Sequence, residues 1–340
     1  MFSDSPDIAP HLIAEPDENP VRPIDAREGA AMSEFSLPLS DEQYRARVDE
    51  LYQIVAEDGC KPIFADDDPV KPLYDTAISL LNRYIKNAWQ TEEGGQINTV
   101  HSIHDYLITT VDYDNDLYES YQKGADVTDN PAFHIDGVLM KKLAVCDGLS
   151  KAFVFLCAIE GIDAVRVTGT YISVPHAWNK VKVDGAWYNI DVTADAAYYL
   201  IDGNTRVRQL SHGFFLLSDH KLKTFRPKLH VFESTVPCDV DYDYYADKIV
   251  KIGDKTFQSV VTSQAELNSI FEAIGKSDKS VGKIELKLNF AGKVNVNDSD
   301  VYTSEINTAY TRIMNADFTT ASRRPYFQSP DGVYLFLIYK

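Results

Sequence analysis

Basic charge is scarce in this chain: 33 Lys and Arg stand against 51 Asp and Glu, a formal net charge of −18 over 340 residues. A surface of that sign repels phosphate backbones, and no basic stripe with interleaved aromatics offsets it, which sets nucleic acid aside as a partner. Long apolar runs are missing as well; none approaches the roughly 18–20 residues that span a bilayer. Cysteine occurs only at Cys60, Cys146, Cys157 and Cys238, too few for a disulfide scaffold and without zinc-ribbon spacing. Met1 is followed by neither a basic nor an apolar leader segment. The Pro-, Asp- and Glu-rich stretch over residues 3–30 instead reads as a solvated tether between an anchor and a folded body. That points to an extracellular or cell-surface protein whose leader has been removed.

Apolar material is plentiful elsewhere, with 44% hydrophobic residues, 20 Tyr and 16 Phe. The length suits two domains of about 100–200 residues each. The acidity is uneven, because residues 1–70 hold 17 acidic and 5 basic side chains and so carry most of the net charge. Residues 1–38 read as an extended or disordered tail, 39–238 as a helical lead-in and core, and 239–340 as a small α+β domain. Apolar spacing predicts helices over about 40–57 (capped by Ser40), from Pro72 to about Trp89, and over 96–111, with residues 112–135 loop-like. A further helix starts near Cys146 and stops at Gly161. Three strand-like segments follow, at 163–172, 176–184 and 186–192, the last two joined by the hairpin pair Asp184-Gly185. Past residue 240, Ser263 and Glu266 form a capping box before the periodic Leu267, Ile270, Phe271 and Ile274. Ile284 to Phe290 alternates as a strand, a helix lies around 300–315, and Val333 to Tyr339 forms a last strand.

Chemistry concentrates at three positions. Cys146 sits where a loop becomes a helix, where unpaired N–H groups and the positive end of the dipole favour a thiolate and can donate to an oxyanion. His176 begins a strand, and Asp191 lies beyond the next turn. A two-residue turn at 184–185 pairs 183 with 186 and sets position 193 opposite His176. Since 191 and 193 share a strand face, His176 and Asp191 are diagonal neighbours. An imidazole between a thiol and a carboxylate then follows if the Cys146 helix packs on that face.

The segment Val145-Cys146-Asp147-Gly148-Leu149-Ser150-Lys151-Ala152-Phe153 resembles the nucleophile segment of the transglutaminase-like superfamily, bacterial type. The likeness continues through Gly161-Ile162, a strand ending in Gly169, His176-Ala177-Trp178-Asn179, and Trp187-Tyr188 with Asp191 and Thr193. Upstream, Ile103-His104-Asp105-Tyr106-Leu107 and Val111-Asp112-Tyr113-Asp114 are similar to the helix and exit loop of bacterial members. Downstream, Phe214-Phe215-Leu216-Leu217-Ser218-Asp219 fits too, so the resemblance spans about 97–220. It implies an α+β fold with a papain-like core, in which a helix-borne Cys packs on an antiparallel sheet. It also implies Cys146 as nucleophile, His176 as base and Asp191 as its orienter. Asp147 stands where many members have Gln, and Ala194 where Trp is common; both bear on substrate preference.

Plainer roles compete at several positions. Cys157 lies on the apolar helix face and reads as packing, while Trp178, Trp187 and Tyr188 read as sheet core or walls of a substrate site. Asp112, Asp114 and Asp116 begin like a calcium loop, but Leu117 and Lys123 stand where its Gly and Glu belong. His101 and His104 lack a third ligand at metal spacing. No metal or other cofactor is expected. The expected activity is thiol-dependent acyl transfer on a protein or peptide, as a cysteine peptidase or amidase. The alternatives are a protein-glutamine transamidase and a non-catalytic cell-surface scaffold on the same fold.

Overall fold

The computed structural model describes residues 27–84, 95–196, 198–201, 205–208, 211–224, 230–233, 236–277, 282–293, 301–313, 319–320, 326–328 and 332–339. Most of the expected tether, and the expected end of the second helix at Trp89, lie outside the described residues. The chain divides into two compact units, Met1–Arg166 with Val181–Gly185, and Val167–Lys180 with Ala186–Lys340. Among the described residues no helix is long and apolar enough to cross a membrane.

Helices dominate the first unit. Strand β1 (Gly29–Ala31) pairs in parallel with β2 (Lys61–Ile63), so the end of the acidic segment is held on the body. Ser33 reinforces it through its hydroxyl, which donates to Glu50 at 2.7 Å. Helix α1 (Asp41–Tyr52) starts at Ser40, whose hydroxyl accepts the Gln43 N–H while the Gln43 side chain accepts the Ser40 N–H at 2.9 Å. This reciprocal box satisfies two N–H groups that a helix start leaves over. The helix runs on as a π-helical turn over Gln53–Glu57. Helices α2 (Lys71–Tyr84) and α3 (Gly95–Thr110) bury Leu73, Ala77 and Leu81 and Val100, Ile103 and Leu107, the positions that recur every three or four residues. Arg45 and Arg47 point inward as ion pairs, Arg45 bidentate to Asp136 at 2.7 and 3.1 Å and Arg47 to Asp68.

Residues 112–135 are more ordered than the loop their composition predicts. They form β3 (Asp112–Tyr113), α4 (Asn115–Gln122) and a 3-10 turn at Pro131–Phe133. Helix α4 buries no residue, so it carries no apolar stripe, and its local signal is Asp114, which accepts the Leu117 N–H at 2.9 Å. Strand β3 runs parallel to β4 (Leu143–Ala144), the step before α5 (Cys146–Ile159). Nearly every face of α5 is buried, and it ends at Gly161, whose φ of 75° suits a left-handed stop.

The second unit holds most of a four-stranded sheet. Strands β5 (Ala164–Tyr171), β6 (Val174–Val183) and β7 (Ala186–Ile190) are consecutive in it. The turn between β6 and β7 has φ of 49° at Asp184 and 85° at Gly185, the positive values of a type I′ hairpin. A short helix α6 (Val192–Asp195), a hairpin of β8 (Tyr198–Ile201) with β9 (Thr205–Arg208), and α7 (Asp219–Thr224) follow. Strand β10 (His230–Val231) then returns antiparallel along β5, giving the order β10-β5-β6-β7. The segment 211–218 is laced to the end of β7: Asn189 and Leu217 exchange backbone bonds at 2.7 and 2.9 Å, and the Asp191 N–H donates to Phe214 at 3.1 Å. Fully buried Lys180 is satisfied by Asp219 at 2.7 and 3.0 Å. Asn189 joins this network by donating to Asp219 at 2.8 Å.

A second sheet closes this unit. After the hairpin β11 (Ile249–Ile252) and β12 (Lys255–Gln258) come β13 (Val260–Val261), α8 (Gln264–Gly275), β14 (Gly282–Leu288), α9 (Thr303–Tyr310), β15 (Thr319–Thr320), β16 (Tyr326–Gln328) and β17 (Val333–Tyr339). The order is β13-β14-β17-β15, with β16 also on β17. Strand β14 alternates Ile284, Leu286 and Leu288 inward, whereas β17 buries Val333, Tyr334, Leu335 and Phe336 in succession because it runs through the middle. At α8 the Ser263 hydroxyl accepts the Glu266 N–H, but the Glu266 carboxylate takes the Thr262 N–H at 2.7 Å, one residue earlier than a capping box requires. The protein is thus a mixed helix-and-sheet chain with an antiparallel sheet, as the sequence implies.

Candidate active site

Cys146 is the first residue of α5 and is a free thiol. No side chain caps that helix end, since Val145 occupies the cap with extended backbone. The first N–H groups of α5 therefore precede any intrahelical acceptor. Gly148 explains how the chain can lie so close there, because a Cβ at this position would stand 2.2 Å from the Ala132 carbonyl oxygen. The pairing of Tyr113 with Ala144 sets Tyr113 beside the start of α5, close enough to Cys146 for the thiol to act on the ionisation of its hydroxyl. Burial first, then the neighbouring thiol, push the Tyr113 hydroxyl far above its ordinary value, so it stays a protonated donor. The sequence points to this tyrosine only as part of a family-like segment, without a role. Beside Cys146, Asp147 is paired with Lys151 at 2.9 Å and with Arg166.

In the second unit, β6 supplies His176 and the end of β7 supplies Asp191. The strand stops at Ile190 and residue 193 lies in α6, not opposite His176 as the count expects, yet His176 Nε2 still lies 2.8 Å from Asp191 Oδ2. Both are buried, 9% and 1% exposed. Asp191 also does what a plain cap does: it precedes α6, and its Oδ1 accepts the Ala194 N–H at 2.9 Å. A third group, His230 on β10, places its own Nε2 2.8 Å from the same Oδ2. Burial by itself would raise the Asp191 carboxyl, but the charge and hydrogen bond of His176 and then those of His230 outweigh it and hold the group far below the usual carboxylate range. Asp191 is a carboxylate throughout the physiological range, which makes it an acceptor only. Both imidazoles therefore present an N–H at Nε2.

Aromatic rings set the two imidazoles in place. Tyr171 lies 5.3 Å from the His176 ring and 4.8 Å from that of His230. Trp178 stacks on His176 at 5.9 Å and meets His230 edge-on at 5.0 Å. The indole N–H of Trp178 points to Asn189 at 3.4 Å. Trp187 and Tyr188 are half-buried on β7. His101 and His104 each lie 3.3 Å from one oxygen of Asp105. Within the second unit, the donor atoms of His176, Asp191 and His230 are close enough together to hold a metal ion. Their 2.8 Å contacts are those of hydrogen bonds with protons between the atoms. The residues Asp112, Asp114 and Asp116 are spread over β3, the α4 cap and α4 itself, so they do not form a calcium loop.

Residues 82–192 match the sequence model of the Transglutaminase-like superfamily. No curated protein matches the chain. Among solved structures, a TGase is similar at 20% identity and a TM-score of 0.33, over 44% of this chain and 38% of that one. A putative cysteine protease from Cytophaga hutchinsonii is similar at 19% identity and a TM-score of 0.27, over 41% of this chain and 42% of that one. The chain spans less than half the length of either. With Cys146, His176 and Asp191 all inside the matched segment, residues 82–192 are a transglutaminase-like superfamily domain.

Proposed function

We propose that the chain is a cysteine-dependent acyl-transfer enzyme acting on protein or peptide amides, with Cys146 as nucleophile, His176 as base and Asp191 as the group that orients the imidazole. The observation that carries this reading is the 2.8 Å bond from His176 Nε2 to an ionised, buried carboxylate. It fixes the tautomer in which Nδ1 is the basic nitrogen and stabilises the imidazolium formed in turnover. The Cys146 proton passes to His176 Nδ1 as sulfur attacks the amide carbonyl carbon. The oxyanion that forms takes hydrogen bonds from the N–H groups at the start of α5 and from the Tyr113 hydroxyl. Collapse breaks the C–N bond, and the leaving amine takes the proton from the imidazolium, leaving a thioester. Water, deprotonated by His176, then attacks the thioester, and the carboxylic acid and the thiol are released. An amine in place of water would give a new amide and make the enzyme a transamidase.

Thiol labelling tests the assignment. Cys157 is wholly enclosed with its thiol pushed well up by burial, and burial pushes the Cys238 thiol up to about 12. Iodoacetamide should therefore modify Cys146 first, and His176→Ala should slow it at least tenfold, about the effect of losing a hydrogen bond to a charged group. Equal labelling of Cys60, or an unchanged rate in His176→Ala, would remove the assignment. A peptide library digested in H2(18)O should then show label in new carboxyl ends, whereas incorporation of an added amine would identify transamidation.

A further inference from the structure

The family-like segments end at Asp219, yet a second imidazole beyond them, that of His230, shares the Asp191 carboxylate. We infer that His230 is a positioning residue of the acyl-transfer site: a neutral Nε2–H donor that holds Asp191 in the one orientation able to serve His176. The inference rests on the function proposed above and deepens it.

Three donors converge on the Asp191 carboxylate. The Ala194 N–H takes Oδ1 at 2.9 Å, while His176 and His230 both take Oδ2 at 2.8 Å. With two donors on Oδ2 and one on Oδ1, the carboxylate plane is fixed, and rotation about the Cβ–Cγ bond would break all three bonds. His176 alone would leave Oδ2 with an unused lone pair and a looser hold.

The state of His230 follows from its surroundings. Its side chain is fully enclosed, and its Nδ1 is buried with no hydrogen-bond partner among the described residues. An imidazolium would carry an N–H at that atom and leave it buried and unsatisfied, which is costly. The neutral Nε2–H tautomer leaves only a lone pair there. Burial lowers the proton affinity of His230, the charge of His176 lowers it further, and the bond and charge of Asp191 only partly restore it. Neutrality matters to the chemistry, because a charged His230 would compensate the Asp191 charge that the His176 imidazolium needs.

Backbone geometry delivers the ring. His230 is in register with Tyr171 on β5, and β10 lies so close to β5 that a Cβ on Gly169 would stand 2.3 Å from the Val231 carbonyl oxygen. Phe214, at 5.6 Å between ring centroids, completes the enclosure begun by Tyr171 and Trp178.

The test compares His230→Gln, whose amide keeps a donor near the Nε2 position, with His230→Phe, which keeps the ring and its packing but loses the donor. Both are made in the full chain beside His176→Ala. Iodoacetamide labelling of Cys146 is followed across pH, and kcat and KM are measured on the best peptide found. The expected result is a labelling rate and kcat down about tenfold in His230→Phe, the effect of one hydrogen bond to a charged group, with KM unchanged and the pH profile displaced. His230→Gln should recover most of the rate. Equal losses in both variants would mean packing alone, and wild-type behaviour in both would mean no role; either overturns the inference. Wild-type labelling in His176→Ala would sink the acyl-transfer reading itself, and this inference with it. A measurement without variants guards against misfolding: long-range 1H–15N spectra of the intact protein should show His230 as the neutral Nε2–H tautomer at neutral pH. An imidazolium or an Nδ1–H tautomer there overturns it.

Discussion

Asp191 holds two imidazoles and the start of a helix at once, so its substitution should be felt in both chemistry and stability. In Asp191→Asn the amide oxygen can accept from some of the three donors, but the amide N–H2 faces others and carries no charge. Activity should fall by about 10⁴, the scale seen when the orienting carboxylate of such a triad becomes an amide. Stability should fall by about 2–4 kcal/mol, read from urea midpoints, because a buried N–H is set against donors it cannot satisfy. The acid response has a definite sign. Asp191 is ionised when folded at pH values where it is protonated unfolded, so unfolding takes up a proton. Its contribution is complete above the unfolded value of about 3.9 and is lost as pH falls below it. His230, with its folded pKa lowered, acts in the same direction from about pH 6.5 downward. Urea midpoints should therefore decline from about pH 6.5, and the part due to His230 should vanish in His230→Phe; a midpoint that rises on acidification would contradict both. The neighbourhood of His176 and Asp191 was legible because strand side chains alternate and the turn between them is short. His230 was not, since it lies 39 positions from Asp191 on another strand and carries no motif.

Elements show the same division between local and distant causes. Helices α1, α2, α3, α5 and α8 announce themselves by an apolar stripe and, at Ser40 and Ser263, by a cap. Helix α4 does not, having no buried residue, and strands of two or three residues such as β1, β3 and β4 are too short for any period to develop. Strand β10 is equally brief, yet it carries His230 and depends on a glycine in its neighbour. Gly169→Ala would force Val231 away by setting a methyl 2.3 Å from its carbonyl oxygen. The expected outcome is a cost of about 1–3 kcal/mol, the range for overpacked sites, together with slower labelling of Cys146. Substituting the open Gly124, whose Cβ would meet nothing within 4 Å but whose φ is 87°, should cost stability and leave labelling unchanged.

At the scale of the molecule, the acidic segment is not one thing. Its composition reads as tether up to residue 38, but the described part, from Arg27 on, is bonded to the body: Arg27 donates to Gly59 at 3.1 Å, and buried Arg47 donates to the Ser33 carbonyl at 2.9 Å. Apolar content cannot reveal this, because backbone pairing and polar side chains do the holding. A chain begun at residue 27 should melt close to the full length, whereas one begun at 39 should melt several degrees lower, at about 2–4 °C per kcal/mol lost. Equal melting of the two would show that β1 adds nothing. The C-terminal sheet reaches the site segment in a similar way. His212 donates its N–H to Glu285 Oε1 at 3.2 Å and sets Nδ1 3.1 Å from Oε2, and Tyr245 adds its hydroxyl at 3.4 Å.

That tie between His212 and Glu285 has a consequence for how the protein is born. The two residues are 73 positions apart, and a ribosome adding about 5–20 residues per second needs roughly 4–15 s to make the stretch between them. Through that interval His176 and Asp191 have been synthesised, with His230 following early in it, yet the segment that donates to Asp195 and accepts from Asp191 still lacks its anchor. Under the acyl-transfer reading proposed above, the site should gain its full support only once the sheet that carries Glu285 has been made.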